Sequence, residues 1–137
     1  MGYRQIDHTA DVGLIISADS LSALFDDAAR GMFSLIVEGD APGAVETRSI
    51  RIAADDREGL LVDWLRELLY LWNDEKRRFV KTISWQETDN TASAIVQVER
   101  CDPSRHAILC EIKAVTYHQV AVETDGRNWT ARVIFDV

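Results

Sequence analysis

The sequence predicts an α+β fold: an antiparallel or mixed sheet, or two small sheets, with two long amphipathic helices packed on it. Apolar residues recur at helical spacing in only two segments, residues 21–37 and the stretch through Leu61 and Trp72. From Arg78 to the end the pattern alternates as strands do. Helices therefore interrupt strands too rarely for a doubly wound parallel sheet.

Strand patterns open the chain at residues 3–6 and 12–18. Ser20 reads as an N-cap, its hydroxyl placed to accept from a first-turn N–H. Leu21, Leu24, Phe25, Ala28, Ala29, Met32, Phe33 and Ile36 then keep a 3.6-residue stripe over residues 21–37, which the run at 38–43, with Gly39, Pro42 and Gly43, brings to a stop. Residues 45–54 alternate around Ile50, Ile52 and Ala54 and read as a strand. Asp55 reads as the next N-cap, with Glu58 completing a capping box. Leu61, Trp64, Leu65, Leu68, Leu69 and Trp72 line one face of that second helix. Burying each contributes roughly 1.5–3 kcal/mol before entropy, and Trp64 and Trp72 read as core rather than as a stacking platform for bases. The following Lys76-Arg77-Arg78 reads as a basic set complementing the helix dipole.

Residues 79–87, 91–100, 107–124 and 128–137 read as strands, separated by Asp89-Asn90, Asp102-Pro103 and Asp125-Gly126. The last dipeptide is a strong hairpin signal. The stretch 107–124 is too long for one flat strand and predicts a bend or bulge near residues 114–117. In the final strand Trp129, Ala131, Val133 and Phe135 point one way; Thr130, Arg132, Ile134 and Asp136 point the other.

A length of 137 residues predicts one domain, residues 1–137, able to bury roughly two thirds of its unfolded surface without disulfide or metal. No apolar run approaches the roughly 20 residues of a membrane span, and the N-terminus has no apolar export signal, so the expected location is cytoplasmic. Cys101 and Cys110 flank an apparent turn and are expected as free thiols there; neither belongs to a C-x-x-C pair of a zinc site. Lys and Arg total 15 against 23 Asp and Glu, a net charge of −8. A surface of that sign repels phosphates, so strong direct RNA binding is not expected.

Two places carry candidate chemistry. Asp7-His8-Thr9-Ala10-Asp11 puts two carboxylates and an imidazole into five residues, and Asp136 adds a carboxylate at the other end of the sequence. If the two ends meet, as termini of small domains often do, Asp11 and Asp136 need a counter-charge. A hard cation such as Ca²⁺ or Mg²⁺, which takes oxygen ligands, suits them; otherwise they are solvated turns. Asp7 is a further candidate ligand. His8 is a ligand, a proton carrier or an orienting group. Lys113, between Ile112 and Ala114, is either a surface lysine lying along apolar neighbours or a partner contact, and His118 belongs to the same block. There is no Gly-x-Ser-x-Gly, no phosphate-cradling glycine loop and no Cys with a recognisable base. An independent enzyme is hard to build from this set.

His8-Thr9-Ala10-Asp11-Val12-Gly13 resembles the opening signature of the archease family. The block from Ser20 to Ala29, Leu60 to Tyr70, Glu111 to His118, and the closing Val133-Ile134-Phe135-Asp136-Val137 are also similar to that family, in its order and across essentially the whole chain. Departures fall at residues 40–47 and 101–106. The resemblance implies an accessory protein that promotes guanylylation and repeated turnover of an RtcB-type RNA ligase in tRNA splicing or RNA repair. It also implies a divalent cation, Ca²⁺ first and Mg²⁺ or Mn²⁺ next, held by Asp11, Asp136 and a main-chain oxygen of Val137. Two rival readings are a small metal-dependent hydrolase using Asp11, Asp136 and His8 on a metal-bound water, and a chaperone-like binding module with a structural cation.

Overall fold

The computed structural model describes residues 2–8, 11–39 and 43–137, with only the main chain of Asp7 and His8. Its elements run β1 (Gly2–His8), β2 (Asp11–Ala18), α1 (Leu21–Ile36), β3 (Val37–Gly39), β4 (Val45–Ala53), α2 (Arg57–Glu75), β5 (Arg77–Thr88), β6 (Thr91–Arg100), β7 (His106–Ile108), β8 (Ala114–Thr124) and β9 (Trp129–Asp136). The strands form three antiparallel sheets with orders β1-β2-β9-β8, β4-β6-β5 and β3-β7. This is the α+β arrangement that the two apolar stripes predict.

Both helices lie between the larger sheets. α1 packs on β2, β5 and β1, and α2 on β8, β4 and β5. The predicted stripes are the buried faces: Leu24, Phe25, Ala28, Met32 and Ile36 of α1, and Leu61, Trp64, Leu65 and Leu68 of α2, are all inaccessible or nearly so. From the sheets, Leu14, Ile16, Val96, Val98, Val133 and Phe135 close the same core. Among the described residues no helix is long and apolar enough to cross a membrane.

Ser20 caps α1 as expected, accepting from the Ala23 N–H at 3.1 Å. The second cap is shifted by one residue. Asp56, not Asp55, is in the extended conformation and accepts from Gly59 N–H at 2.7 Å. Glu58 therefore sits too early to close a capping box, and serves the dipole from the first turn. The Asp55 carbonyl instead accepts from the Asn90 side chain at 2.8 Å.

The basic run after α2 divides between the helix end and the sheet. Lys76 ends the helix in the left-handed conformation (φ 54°), so Arg77 and Arg78 already belong to β5, yet Arg77 Nη1 reaches back to donate to the carbonyl of Glu75, the last residue of α2, at 2.9 Å. Arg77 also pairs with Glu46, and Arg78 with Glu99, so Arg77 serves both the helix end and a cross-strand ion pair, while Arg78 serves the sheet.

The long stretch 107–124 resolves into two strands. β7 pairs with β3, which continues straight out of α1, and residues 109–113 form a strap from there to β8. The irregularity within β8 falls later than the expected bend. Thr116 pairs with Ile134 and the next partners are Ala121 and Arg132, so four residues, 117–120, stand opposite Val133 alone. This blister holds Gln119 in the left-handed region (φ 55°). The Asp125-Gly126 signal is fulfilled: residues 125–128 turn β8 into β9, with the Asp125 carboxylate accepting from Arg127 and Asn128 N–H groups at 2.8 and 2.7 Å.

Gly13 shows why the opening motif carries a glycine. A Cβ there would stand 2.7 Å from Ile134 Cδ1, 2.8 Å from Ile6 Cγ1 and 3.0 Å from the Val133 carbonyl. Ile134, on the face of β9 away from the helices, is thereby covered and only 1 % exposed. Gly13→Ala is expected to cost about 1–3 kcal/mol through overpacking, read as a lowered urea midpoint with unchanged slope.

Candidate functional site

β2 and β9 are central neighbours in their sheet, and their register opposes Asp11 directly to Asp136. Opposed residues of an antiparallel pair place side chains on one face, with Cβ atoms about 4.5–5.5 Å apart. The two carboxylates predicted from opposite ends of the sequence are brought together. Their face is set by alternation: Val12, Leu14 and Phe135 point into the helix-covered core, so Asp11 and Asp136 point outward, Asp136 being exposed and Asp11 partly so. Two like charges this close on an open sheet face repel, and an all-oxygen donor set suits a hard cation. The oxygens that could serve such a cation here are those of the two carboxylates, with the main chain of Val137 following directly after Asp136. Among the described residues no group of three or more His, Cys, Asp or Glu side chains converges to hold a metal.

The remaining candidates group around this pair or stand apart from it. On the main chain, His8 opposes Asp11 and Asp7 opposes Val12 across the β1–β2 hairpin. The side chains of Asp7 and His8, and the whole of Thr9 and Ala10, lie outside the described residues. Lys113 is tied in by its main chain: its N–H donates to the Asp136 carbonyl at 2.7 Å while its side chain is exposed. His118 lies on the blister. The Thr116 hydroxyl donates to the Ile134 carbonyl at 2.9 Å and accepts from His118 N–H at 3.3 Å, bracing the blister against β9. Behind it Arg66 of α2 donates to the Val115 carbonyl from two nitrogens (3.2 and 3.1 Å) and lies over the Tyr117 ring at 5.0 Å.

A second polar cluster escaped the sequence reading. Glu99 of β6 is 1 % exposed yet accepts from Arg78 (2.9 Å), Arg105 (3.0 Å) and the Gly43 N–H. Burial pushes its carboxyl up. The hydrogen bonds from Arg105 and Gly43, with the charge of Arg78, more than offset this and leave it below the ordinary glutamate value. His106 is buried beside it: Nδ1 accepts from the Asp102 N–H at 2.8 Å, and Nε2 comes within 3.1 Å of Glu99 without the alignment of a hydrogen bond. With Nδ1 an acceptor, the neutral ring carries its proton on Nε2. No spacing announces this knot, because its members come from β5, β6, β7, the turn before β7 and the segment before β4, whose meeting only the fold defines. Cys101 and Cys110 flank that turn as free thiols.

The sequence matches the archease protein family (MTH1598/TM1083) over residues 3–137. Protein archease of Methanosarcina mazei is 33% identical over 139 residues, covering 98% of this chain and 95% of that one. The archease of Methanopyrus kandleri is 32% identical over 145 residues and covers all of both chains. Among solved structures, the solution structure of Methanobacterium thermoautotrophicum protein 1598 superposes with a TM-score of 0.77 at 32% identity, covering 99% of each chain. A crystal structure from Thermotoga maritima, described as an archease and possible chaperone, shares the fold with a TM-score of 0.65 at 21% identity over 98% of this chain and 96% of that one. With these likenesses spanning essentially its full length, the chain belongs to the archease family.

Proposed function

We propose that this protein is an accessory factor of an RtcB-type RNA ligase, promoting the ligase's guanylylation and repeated turnover in tRNA splicing or RNA repair, and that it holds a divalent cation, Ca²⁺ first, with Asp11, Asp136 and the Val137 main-chain oxygen. The observation that carries the reading is the in-register pairing of Asp11 with Asp136 on the open face of the sheet. Family membership and the net charge of −8 support action through a protein rather than by gripping RNA. The cation supplies fixed positive charge at an otherwise acidic spot. The chain's own residues align the two carboxylates through β2–β9 pairing and fix the Asp136 main chain through Lys113.

Asp11→Asn and Asp136→Asn keep a carbonyl oxygen of the same shape and remove the charge that hard cations need. Each is expected to weaken Ca²⁺ and Mn²⁺ binding at least roughly tenfold by calorimetric titration and to remove most stimulation of ligase guanylylation. The metal-free melting temperature should hold or rise slightly, since the core rests on the helices and a like-charge contact is relieved. Cation affinity equal to the parent's would place the metal elsewhere. Lost affinity with full stimulation would leave the cation structural, which favours a binding module; the relative described as a possible chaperone keeps that second reading in view.

A further inference from the structure

The strap between β7 and β8 begins with two large aliphatic side chains held in solvent: Ile108 is 58% and Leu109 51% exposed. They do not swing free. Ile108 pairs with Val37, and Leu109 N–H donates to the Ile36 carbonyl, the last residue of α1, at 2.7 Å. Four residues on, Lys113 N–H donates to the Asp136 carbonyl. A fully extended chain of that length spans at most roughly 14 Å. The fixed aliphatic pair is therefore tethered within about 14 Å of the Asp136 main chain, with the exposed Glu111 between them in sequence.

From this placement we infer that Ile108 and Leu109 anchor a protein partner whose surface carries an apolar pocket within a basic field, and that this partner is the ligase of the proposed function, on which the inference rests. Charge decides among occupants. RNA offers neither an apolar pocket nor a sign that an acidic rim attracts. A second copy of this chain, itself of net charge −8, would bring Glu111 and a like-charged surface against each other. An enzyme that grips RNA must itself be basic, and meets both demands. Because the strap's main chain is already bonded, docking orders little further chain, which favours affinity.

The test is the Ile108→Ser/Leu109→Ser double variant, with Leu109→Ser alone as a second variant outside β7. Both are measured beside the parent for Ca²⁺ affinity, sedimentation, and binding to purified RtcB-type ligase. The expected result is unchanged Ca²⁺ affinity and sedimentation, with ligase affinity lowered roughly tenfold or more in the double variant and by a smaller factor in the single one. Unchanged ligase affinity in both variants overturns the docking surface and leaves the proposed function standing. A parent dimer that the variants convert to monomer assigns the patch to self-association and overturns the inference. A parent that neither binds nor stimulates the ligase overturns both.

Discussion

Trp64→Ala is expected to remove about 3–5 kcal/mol of folding stability, out of the roughly 5–15 kcal/mol available to a domain of this kind. Trp64 is inaccessible to solvent and joins three elements, α2, α1 and β5. Its ring meets Trp85 of β5 edge-on at 5.5 Å, Phe79 of β5 at 6.2 Å and Phe25 of α1 at 6.3 Å. Its indole N–H donates to the Phe25 carbonyl at 2.9 Å, tying α2 to α1 across 39 residues. Truncation opens a cavity, strips three aromatic contacts and deletes the hydrogen bond, so the upper half of the range applies. Trp64→Phe separates the contributions: it keeps much of the packing and is expected to cost about 1–3 kcal/mol. Urea unfolding followed by circular dichroism reads both; a Trp64→Ala loss under about 2 kcal/mol would mean that the neighbouring rings collapse into the space.

Glu99→Gln is expected to cost about 3 kcal/mol, toward the lower end for broken buried ion pairs because Arg78 and Arg105 retain some solvent. For 137 residues that is a fall of roughly 10 °C in melting temperature. The shape stays; the charge answering two guanidiniums goes. The pH dependence has a fixed sign. Since the folded protein holds the Glu99 carboxyl below its ordinary value of 4.5, its stabilisation is complete above that value and drains away as pH falls through the lower, folded-state one. Parent and variant should thus differ most near neutrality and converge at acid pH. An equal gap at both pH values would assign the loss to packing rather than charge.

The elements legible in the sequence are those whose signal is local. Ser20 and the stripe from Leu21 to Ile36 specify α1 from residues a few positions apart, and Asp125-Gly126 marks a turn from its own chemistry. The Asp55 and Asp56 ambiguity is of another kind: either type can cap, and where the helix begins settles it, since the Asp56 carboxylate is the one that meets the Gly59 N–H. β3 was hidden because Val37-Glu38-Gly39 has no alternation of its own and becomes a strand through β7. Lys76, Arg77 and Arg78 look alike in sequence, yet the left-handed turn at Lys76 separates a helix end from a strand that finds Glu46 and Glu99. Of the candidate site, the residue types at Asp11 and Asp136 were legible; that they stand face to face follows from β2–β9 register, a property of pairing that spacing does not encode.

The blister on β8 has a consequence for assembly. β8 is the rim of its sheet, and an unbroken rim presents a row of main-chain donors and acceptors on which another chain can be templated, the route to fibrous aggregation. Residues 117–120 leave that row, with Gln119 left-handed. β5, a rim of the other large sheet, is broken in the same spirit by register shifts at Phe79/Lys81 and Thr82/Ser84 and by the exposed Lys81. Among the described residues, the two larger sheets keep an unbroken rim at β1 and β4. A molecule arriving at the β8 rim near Asp136 therefore meets Tyr117, His118 and Gln119 before it meets an open backbone, and is selected by what those side chains accept rather than by the indiscriminate affinity of one strand for another.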